Sequence, residues 1–291
     1  MVVMSKKVSI IMPCYNQGEY VKEAIESVYK QTYKNIELIC VNDASSDDSH
    51  EIIKALSGGG QYENFIYINH LENKGVVATR NEAIEIATGE YILPLDADDT
   101  IEPTFVEKAV KILDENPDVG IVYCWVRSFG NGMSTYTSKI NNFDLNMEIF
   151  ENSIVNTSMF RKSEFIEVGG YKDYMKNGFE DWELWISILE KGYKAYLIKE
   201  VLFNYRRNIA SSRSGSVAMQ KNELYLAILK NHLDFYLNNP QTIERIFTSA
   251  YYKKAEIYKQ FEKLKRYCKM LFELTFLLIM FYIIMFLYLI F

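Results

Sequence analysis

Residues 91–100, Tyr-Ile-Leu-Pro-Leu-Asp-Ala-Asp-Asp-Thr, constrain this chain more than any other stretch. An apolar run of this length between polar residues reads as a buried strand. It ends abruptly in three carboxylates, Asp96, Asp98 and Asp99. Acids at the C-terminal end of a strand lie where open α/β sheets bind ligands. Carboxylates this close repel one another unless a cation is shared. Hard divalent cations such as Mg²⁺ or Mn²⁺ take oxygen ligands and bridge one or two carboxylates to substrate phosphates. The stretch therefore reads as a metal–diphosphate site. The plainer alternative is an acidic, solvated turn in which Asp99 and Thr100 cap the next helix.

The surrounding pattern alternates strands and helices. Strands are expected at 8–12, 36–41, 65–69 and 120–126, with helices at 17–31, 49–56, 77–87 and 102–116. Thr88-Gly89 reads as the end of the third helix. Such alternation implies right-handed βαβ units and a mostly parallel sheet. Further on, a strand at 156–160, a short helix at 161–168, a helix at 180–190 and extended pieces at 193–198 and 201–205 are expected. Residues 128–146 and 209–217 read as polar loops, and the chain reads as helical from 218 onward, with a break at 238–240.

Three strands deliver polar groups to one edge: Pro13 to Asn16, Asn42 to Ser45, and Asp96 to Asp99. Parallel strands present their C-terminal ends together, as a nucleotide site requires. Asp43 can accept hydrogen bonds from a base or ribose, or be a turn residue. Tyr15 can stack on a base, or simply pack. Arg80 can reach the base or a phosphate, or lie on the surface. Neither a P-loop nor a dinucleotide glycine motif occurs.

Composition narrows the partners. A net charge of −6 and a pI near 5.3 make nucleic acid an unexpected one. Cys14, Cys40 and Cys124 fall in or beside apolar runs and read as buried, reduced thiols of a cytosolic domain, not as a disulfide frame or a zinc site. The apolar stretch after Lys6 and Lys7 is too short for a secretory leader.

The motifs Val-Ser-Ile-Ile-Met-Pro-Cys-Tyr-Asn, Val-Asn-Asp-Ala-Ser-Ser-Asp-Asp, Gly-Val-Val-Ala-Thr-Arg-Asn-Glu and Glu-Val-Gly-Gly-Tyr followed by Phe-Glu-Asp-Trp-Glu-Leu-Trp keep their order and spacing over residues 7–207. In these the chain resembles the family 2 inverting glycosyltransferases with the GT-A fold. One departure is Asn42, where many members have aspartate. The resemblance implies that Asp43 binds the base with help from Arg80. It implies that Asp96 and Asp98 hold Mn²⁺ or Mg²⁺ on the diphosphate of a nucleotide-sugar donor, UDP first. It implies that Asp181 is the catalytic base.

Read from the residues, Glu180 and Asp181 open a helix, where carboxylates are favoured electrostatically. Trp182 and Trp185 share a face and either line a sugar site or belong to the core. Asn156, Thr157, Ser158 and Gly169-Gly170-Tyr171 are candidates for shaping the acceptor side, and Arg206 for neutralising a departing diphosphate. The expected product is a glycan or a glycosylated lipid-linked acceptor of cell-surface polysaccharide synthesis.

The expected organisation is a GT-A domain over 1–217 (donor half 1–100, acceptor half 101–217), a helical extension over 218–270 and a hydrophobic tail over 271–291. Residues 274–291 carry no charge, and as a helix they would span roughly 27 Å, near the bilayer's hydrocarbon thickness. Lys263, Lys265, Arg266 and Lys269 precede them, as expected on the cytoplasmic side of a membrane. Two other classes compete. Asp-Ala-Asp-Asp-Thr also fits the first motif of haloacid-dehalogenase-type phosphatases, and a non-catalytic sugar-nucleotide-binding protein would share much of the pattern.

Overall fold

The structure is a computed structural model that describes residues 5–130, 136–138, 142–207 and 214–242, with a few isolated positions beyond. The chain divides into two units, Met1–Asn238 and Asn239–Phe291, and every element named here lies in the first. Three successive βα units open it: β1 (Val8–Cys14), α1 (Val21–Tyr29), β2 (Ile36–Asn42), α2 (Ser49–Gly58), β3 (Phe65–Asn69) and α3 (Val76–Ile86), leading to β4 (Tyr91–Pro94). Then follow β5 (Thr100–Ile101), α4 (Phe105–Glu115), β6 (Val119–Phe129), β7 (Tyr136–Ser138), α5 (Leu145–Phe150), β8 (Met159–Arg161) and α6 (Lys162–Glu167). The series closes with α7 (Glu180–Glu190), β9 (Lys194–Arg206), α8 (Ser214–Asn231) and α9 (Leu233–Leu237).

The strands form one sheet in the order β3-β2-β1-β4-β8-β6-β9-β5, with β7 beside β6. The first four are mutually parallel. Beyond them β8 runs antiparallel to both β4 and β6, β9 is parallel to β6, and β5 is antiparallel to β9. Side-chain alternation divides the apolar residues between two faces. Ile10, Met12, Leu38, Cys40 and Leu93 join α1 and α4 on one side. Ile11, Ile39, Val41 and Ile92 join α3 and α7 on the other. Cys14, Cys40 and Cys124 are buried free thiols, as their apolar settings imply.

Several boundaries differ from the sequence expectation. β1 runs through Pro13, which lies opposite Val41. Pro13 sits on the side that faces β4, past Ile11, which is opposite the last β4 residue, Pro94, so its missing N–H removes no ladder bond. The two extended pieces after residue 193 are one strand, β9, with irregular register against β6. The polar stretch 128–146 carries the end of β6, all of β7 and the start of α5. Helices α8 and α9 belong to the first unit: Tyr236 donates to the Ile149 carbonyl, and His232 lies between Glu183 and Glu190 of α7. The uncharged tail lies outside the described residues; among the described residues no helix is long and apolar enough to cross a membrane.

Gly89 has a role other than ending a helix. It lets the α3–β4 turn press against β1, where its N–H donates to Ser9 Oγ at 2.9 Å. A Cβ there would sit 2.5 Å from Ser9 Oγ and 2.7 Å from the Ser9 backbone nitrogen. Gly89→Ala should therefore destabilise the fold by roughly 1–3 kcal/mol, read as a lowered midpoint in thermal or urea unfolding.

Candidate active site

The C-terminal ends of β1, β2 and β4 build one edge of the site. The loops after β1 and β2 are stitched together: Asn16 donates its N–H to Ser45 Oγ at 2.9 Å and accepts the Ser46 N–H at 2.8 Å, and the Gly18 N–H reaches Asp47 Oδ2 at 2.9 Å. Asn16 does this with φ 53°, a left-handed conformation that asparagine tolerates. Tyr15 has half its surface exposed, and Pro13 is part-buried. Asp43 is buried. Its Oδ1 accepts the Lys74 N–H at 2.9 Å and lies 2.7 Å from His70 Nδ1, and its Oδ2 accepts the Gly75 N–H at 2.9 Å. The carboxylate thus organises the 70–75 loop and the start of α3. His70, which no motif flagged, continues to Glu82 at 3.1 Å.

The three acids after β4 have three different environments. Asp96 Oδ1 meets Arg80 Nη2 at 2.6 Å, and its Oδ2 faces Asn156 Nδ2 at 3.4 Å. Asp99 is buried and accepts the Arg206 N–H at 2.7 Å. Burial, then the charges of Asp98 and Asp96, push its carboxyl well above the usual carboxylate range. Asp98 is part-exposed. Asp99 does not cap α4, whose N-cap is Thr104. Among the described residues no group of three or more His, Cys, Asp or Glu forms a ready metal cage. A part-exposed carboxylate in an acidic turn fits the other way of holding a hard cation, in which phosphate oxygens complete the shell.

Arg80 and Glu180 are not open to a ligand. Arg80 is 1% exposed and forks between Asp96 and Glu180, the latter at 2.9 Å, so its two Nη groups donate to protein carboxylates, while its Nε is buried without a hydrogen-bond partner. Glu180 is the buried partner in that pair. It starts α7 behind Phe179, which is left-handed at φ 60°. Next comes Asp181, part-buried. Asp181 Oδ1 accepts its neighbour's N–H from Trp182 at 2.7 Å and Asn152 Nδ2 at 3.2 Å. Among the described residues Oδ2 takes no hydrogen bond. Burial, then the charge of Glu180, raises the Asp181 carboxyl to about 6 against the pull of the Trp182 N–H, Arg80 and Asn152.

Two further candidates, Trp182 and Arg206, are engaged within the protein. Trp182 is core: it is 2% exposed, its Nε1–H donates to the Glu148 carbonyl at 2.7 Å, and its ring meets Phe179 and Tyr225. Trp185 is fully buried as well. Arg206 is clamped behind the acidic turn. Its guanidinium lies between the Tyr20 and Phe129 rings, at 4.4 and 4.5 Å, and its donors serve the Asp98 carbonyl and Glu23. The sequence missed Glu148 and Asn152 because they fall between the polar stretch 128–146 and the strand expected at 156–160, where no motif marks them.

The profile described as Glycosyl transferase family 2 matches residues 9–181. The chain belongs to this family. This glycosyltransferase is 32% identical over 232 residues to the uncharacterized glycosyltransferase MJ1057 of Methanocaldococcus jannaschii, across 77% of this chain and 79% of that one. It is 31% identical over 247 residues to the minor teichoic acid biosynthesis protein GgaB of Bacillus subtilis, across 81% of this chain and 27% of GgaB. Two solved structures share its GT-A fold. One is S. aureus TarS 1–349 in complex with UDP-GlcNAc, with TM-score 0.62 and 19% identity, covering 72% of this chain and 60% of that one. The other is the mannosyltransferase PcManGT of Pyrobaculum calidifontis in complex with GDP-Man and Mn²⁺, with TM-score 0.54 and 21% identity, covering 75% and 61%. A phosphatase of the haloacid-dehalogenase type would carry its first aspartate on the first strand; here Asp96 follows β4.

In this glycosyltransferase the Arg80 fork is open to a direct test by mutation. Arg80→Met leaves two acids facing each other without a cation, and should cost about 3–5 kcal/mol in urea unfolding. Arg80→Lys should recover only part of that, because one ammonium cannot fork between two carboxylates as a guanidinium does.

Proposed function

We propose that this glycosyltransferase moves a sugar, with inversion, from a nucleotide-sugar donor to a glycan or lipid-linked acceptor in cell-surface polysaccharide synthesis, using Mn²⁺ or Mg²⁺ on the donor diphosphate. One observation carries the reading: Arg80 joins Asp96 to Glu180, so the acidic turn after β4 and the start of α7 are neighbours. UDP is the first nucleotide to test, and GgaB's name and the Mn²⁺ complex of PcManGT support the acceptor class and the metal.

In this reading Tyr15 offers a ring face to the base, and Asp43 shapes the wall beside it through the 70–75 loop. Asp98 is the carboxylate that would hold the cation, with Asp96 set beside it by Arg80. A bound divalent cation neutralises charge on the leaving diphosphate. The acceptor hydroxyl attacks the anomeric carbon from the face opposite the diphosphate. The new C–O bond forms as the bond to the diphosphate breaks, the nucleoside diphosphate leaves, and the hydroxyl proton passes to Asp181 Oδ2. A single in-line displacement inverts the anomeric centre.

The uncharged residues 274–291 are read as a segment that keeps the catalytic unit at the cytoplasmic face of a membrane, near lipid-linked acceptors. Alkaline carbonate extraction should leave the full chain in the membrane pellet; release into the supernatant counts against a spanning segment.

Calorimetry with UDP should show binding with Mn²⁺ that weakens after EDTA, and Asp98→Ala should remove most of it. Unchanged UDP affinity in that variant would sink the metal assignment. Asp181→Asn should keep UDP affinity while lowering turnover by roughly 10² to 10⁴-fold, the usual worth of general-base catalysis. The base works as a carboxylate, so wild-type turnover should rise with pH through about 6 and be lost below it. A flat rate between pH 5 and pH 7 (about one unit either side of that value) would place the base elsewhere.

A further inference from the structure

Glu148 on α5 has no exposed surface. Its Oε2 accepts the Ser153 N–H at 2.8 Å, the Ser153 hydroxyl at 2.5 Å and the Ile154 N–H at 3.0 Å, closing the 151–154 loop around the carboxylate. That loop carries Asn152, whose amide donates to Asp181 Oδ1. From its other end, the Glu148 carbonyl accepts the indole N–H of Trp182, the residue next to Asp181. Oε1 of Glu148 is buried with no hydrogen-bond partner. A buried carboxylate is costly wherever packing alone would do, so this one calls for a reason, and the reason is on both sides of Asp181.

We propose that Glu148 is a positioning residue for the base: through the 151–154 loop and Trp182 it sets the Asn152 amide on Asp181 Oδ1, leaving Oδ2 to take the acceptor's proton. The inference rests on Asp181 being the base. Glu148 is faced by Asp181 from α7, by Tyr123 from β6 and by Tyr236 from α9. Asp181 is faced in turn by Glu180 and Arg80, and by Tyr171. Burial raises Glu148 to about 7, opposed by the Ser153 and Ile154 bonds, and the charge of Asp181 adds to the rise. Across the pair each carboxylate disfavours ionisation of the other. The Asn152 bond acts the opposite way on Asp181, since it favours the charged form.

These signs make a test that packing alone would not move. The Asp181 titration is followed by carboxyl ¹³C NMR, assigned by difference against Asp181→Asn. Asn152→Ala should raise it, by loss of a bond to the charged form, and Glu148→Ala should raise it too, by releasing the loop that carries Asn152, whereas Glu148→Gln, replacing a carboxyl that is itself largely protonated while Asp181 titrates, should leave it near wild type. Turnover is measured on whichever of UDP-glucose, UDP-galactose, UDP-N-acetylglucosamine and GDP-mannose the wild type hydrolyses fastest with Mn²⁺. Asn152→Ala and Glu148→Ala should each lower it by roughly 10-fold with UDP affinity unchanged, and Glu148→Gln, which keeps an acceptor for the loop N–H groups, should restore most of it. An Asp181 titration unmoved in both Asn152→Ala and Glu148→Ala overturns the proposal. So does Glu148→Ala turnover equal to wild type, or lost only in step with UDP affinity. Should Asp181→Asn itself keep full turnover, the base assignment fails; should it lose turnover while Glu148→Ala does not, only the positioning role fails.

Discussion

A guanidinium with almost no exposed surface joins two carboxylates from distant parts of the chain, and the site depends on it. Asp96 is 16 residues from Arg80 in sequence and Glu180 is 100. Removing a cation from such a place leaves uncompensated buried charge, so the three groups hold one another in register. The tie reaches further because Arg80 sits on α3. The start of that helix is fixed by the bond from Gly75 to Asp43, and the neighbouring Asn81 exchanges two bonds with the backbone of Tyr171. One helix thereby connects the end of β2, the acidic turn after β4 and the Tyr171 backbone ahead of α7.

The same arrangement gives like residues unlike chemistry. Asp96, Asp98 and Asp99 lie within four positions of one another, yet one is ion-paired, one part-exposed and one buried against the Arg206 N–H. Burial favours the neutral form of Asp99 and so reduces the repulsion within the turn. Arg206 braces this turn from behind with its backbone and its guanidinium. At the start of α7 the balance differs: Glu180 has its cation in Arg80, while Asp181 beside it is raised by burial and by Glu180, as suits a proton acceptor working near neutral pH.

Backbone strain gathers in the same places. Of the four non-glycine residues with positive φ among the described residues, Asn16 and Ala44 follow the C-terminal ends of β1 and β2 and Phe179 precedes α7, while Asn64 lies ahead of β3. For a bulky residue such as Phe179 the left-handed region costs on the order of 1–2 kcal/mol. Its carbonyl accepts the Glu183 N–H at 2.9 Å and its ring meets Trp182 edge-on at 5.3 Å, contacts that offset the strain and keep α7 starting where it does. Strain held at a functional edge by surrounding packing is the usual pattern of pre-organised sites.

Periodicity and turn chemistry in the sequence by themselves determined the βα alternation and the parallel first half of the sheet, and the order of short motifs carried the resemblance to the family, because these depend on local spacing and short-range order. The span of α7 and the stretch holding Asp98 and Asp181 were legible for the same reason. Only the tertiary structure decided what each polar side chain meets. Arg80 reads from sequence as a ligand contact or a surface residue, but the fold buries it and directs its two Nη groups to Asp96 and Glu180. Trp182 reads as a sugar platform, but α7 turns it inward. Arg206 reads as an anion partner, but β9 carries it behind the acidic turn. Glu148 and Asn152 fall between the expected elements, where nothing local marks a buried carboxylate whose partners lie five and six residues on, or an amide aimed 29 residues ahead. Hydrogen bonds and ion pairs of that reach form only once the sheet order has set distant strand and helix ends side by side, and local spacing carries no record of it.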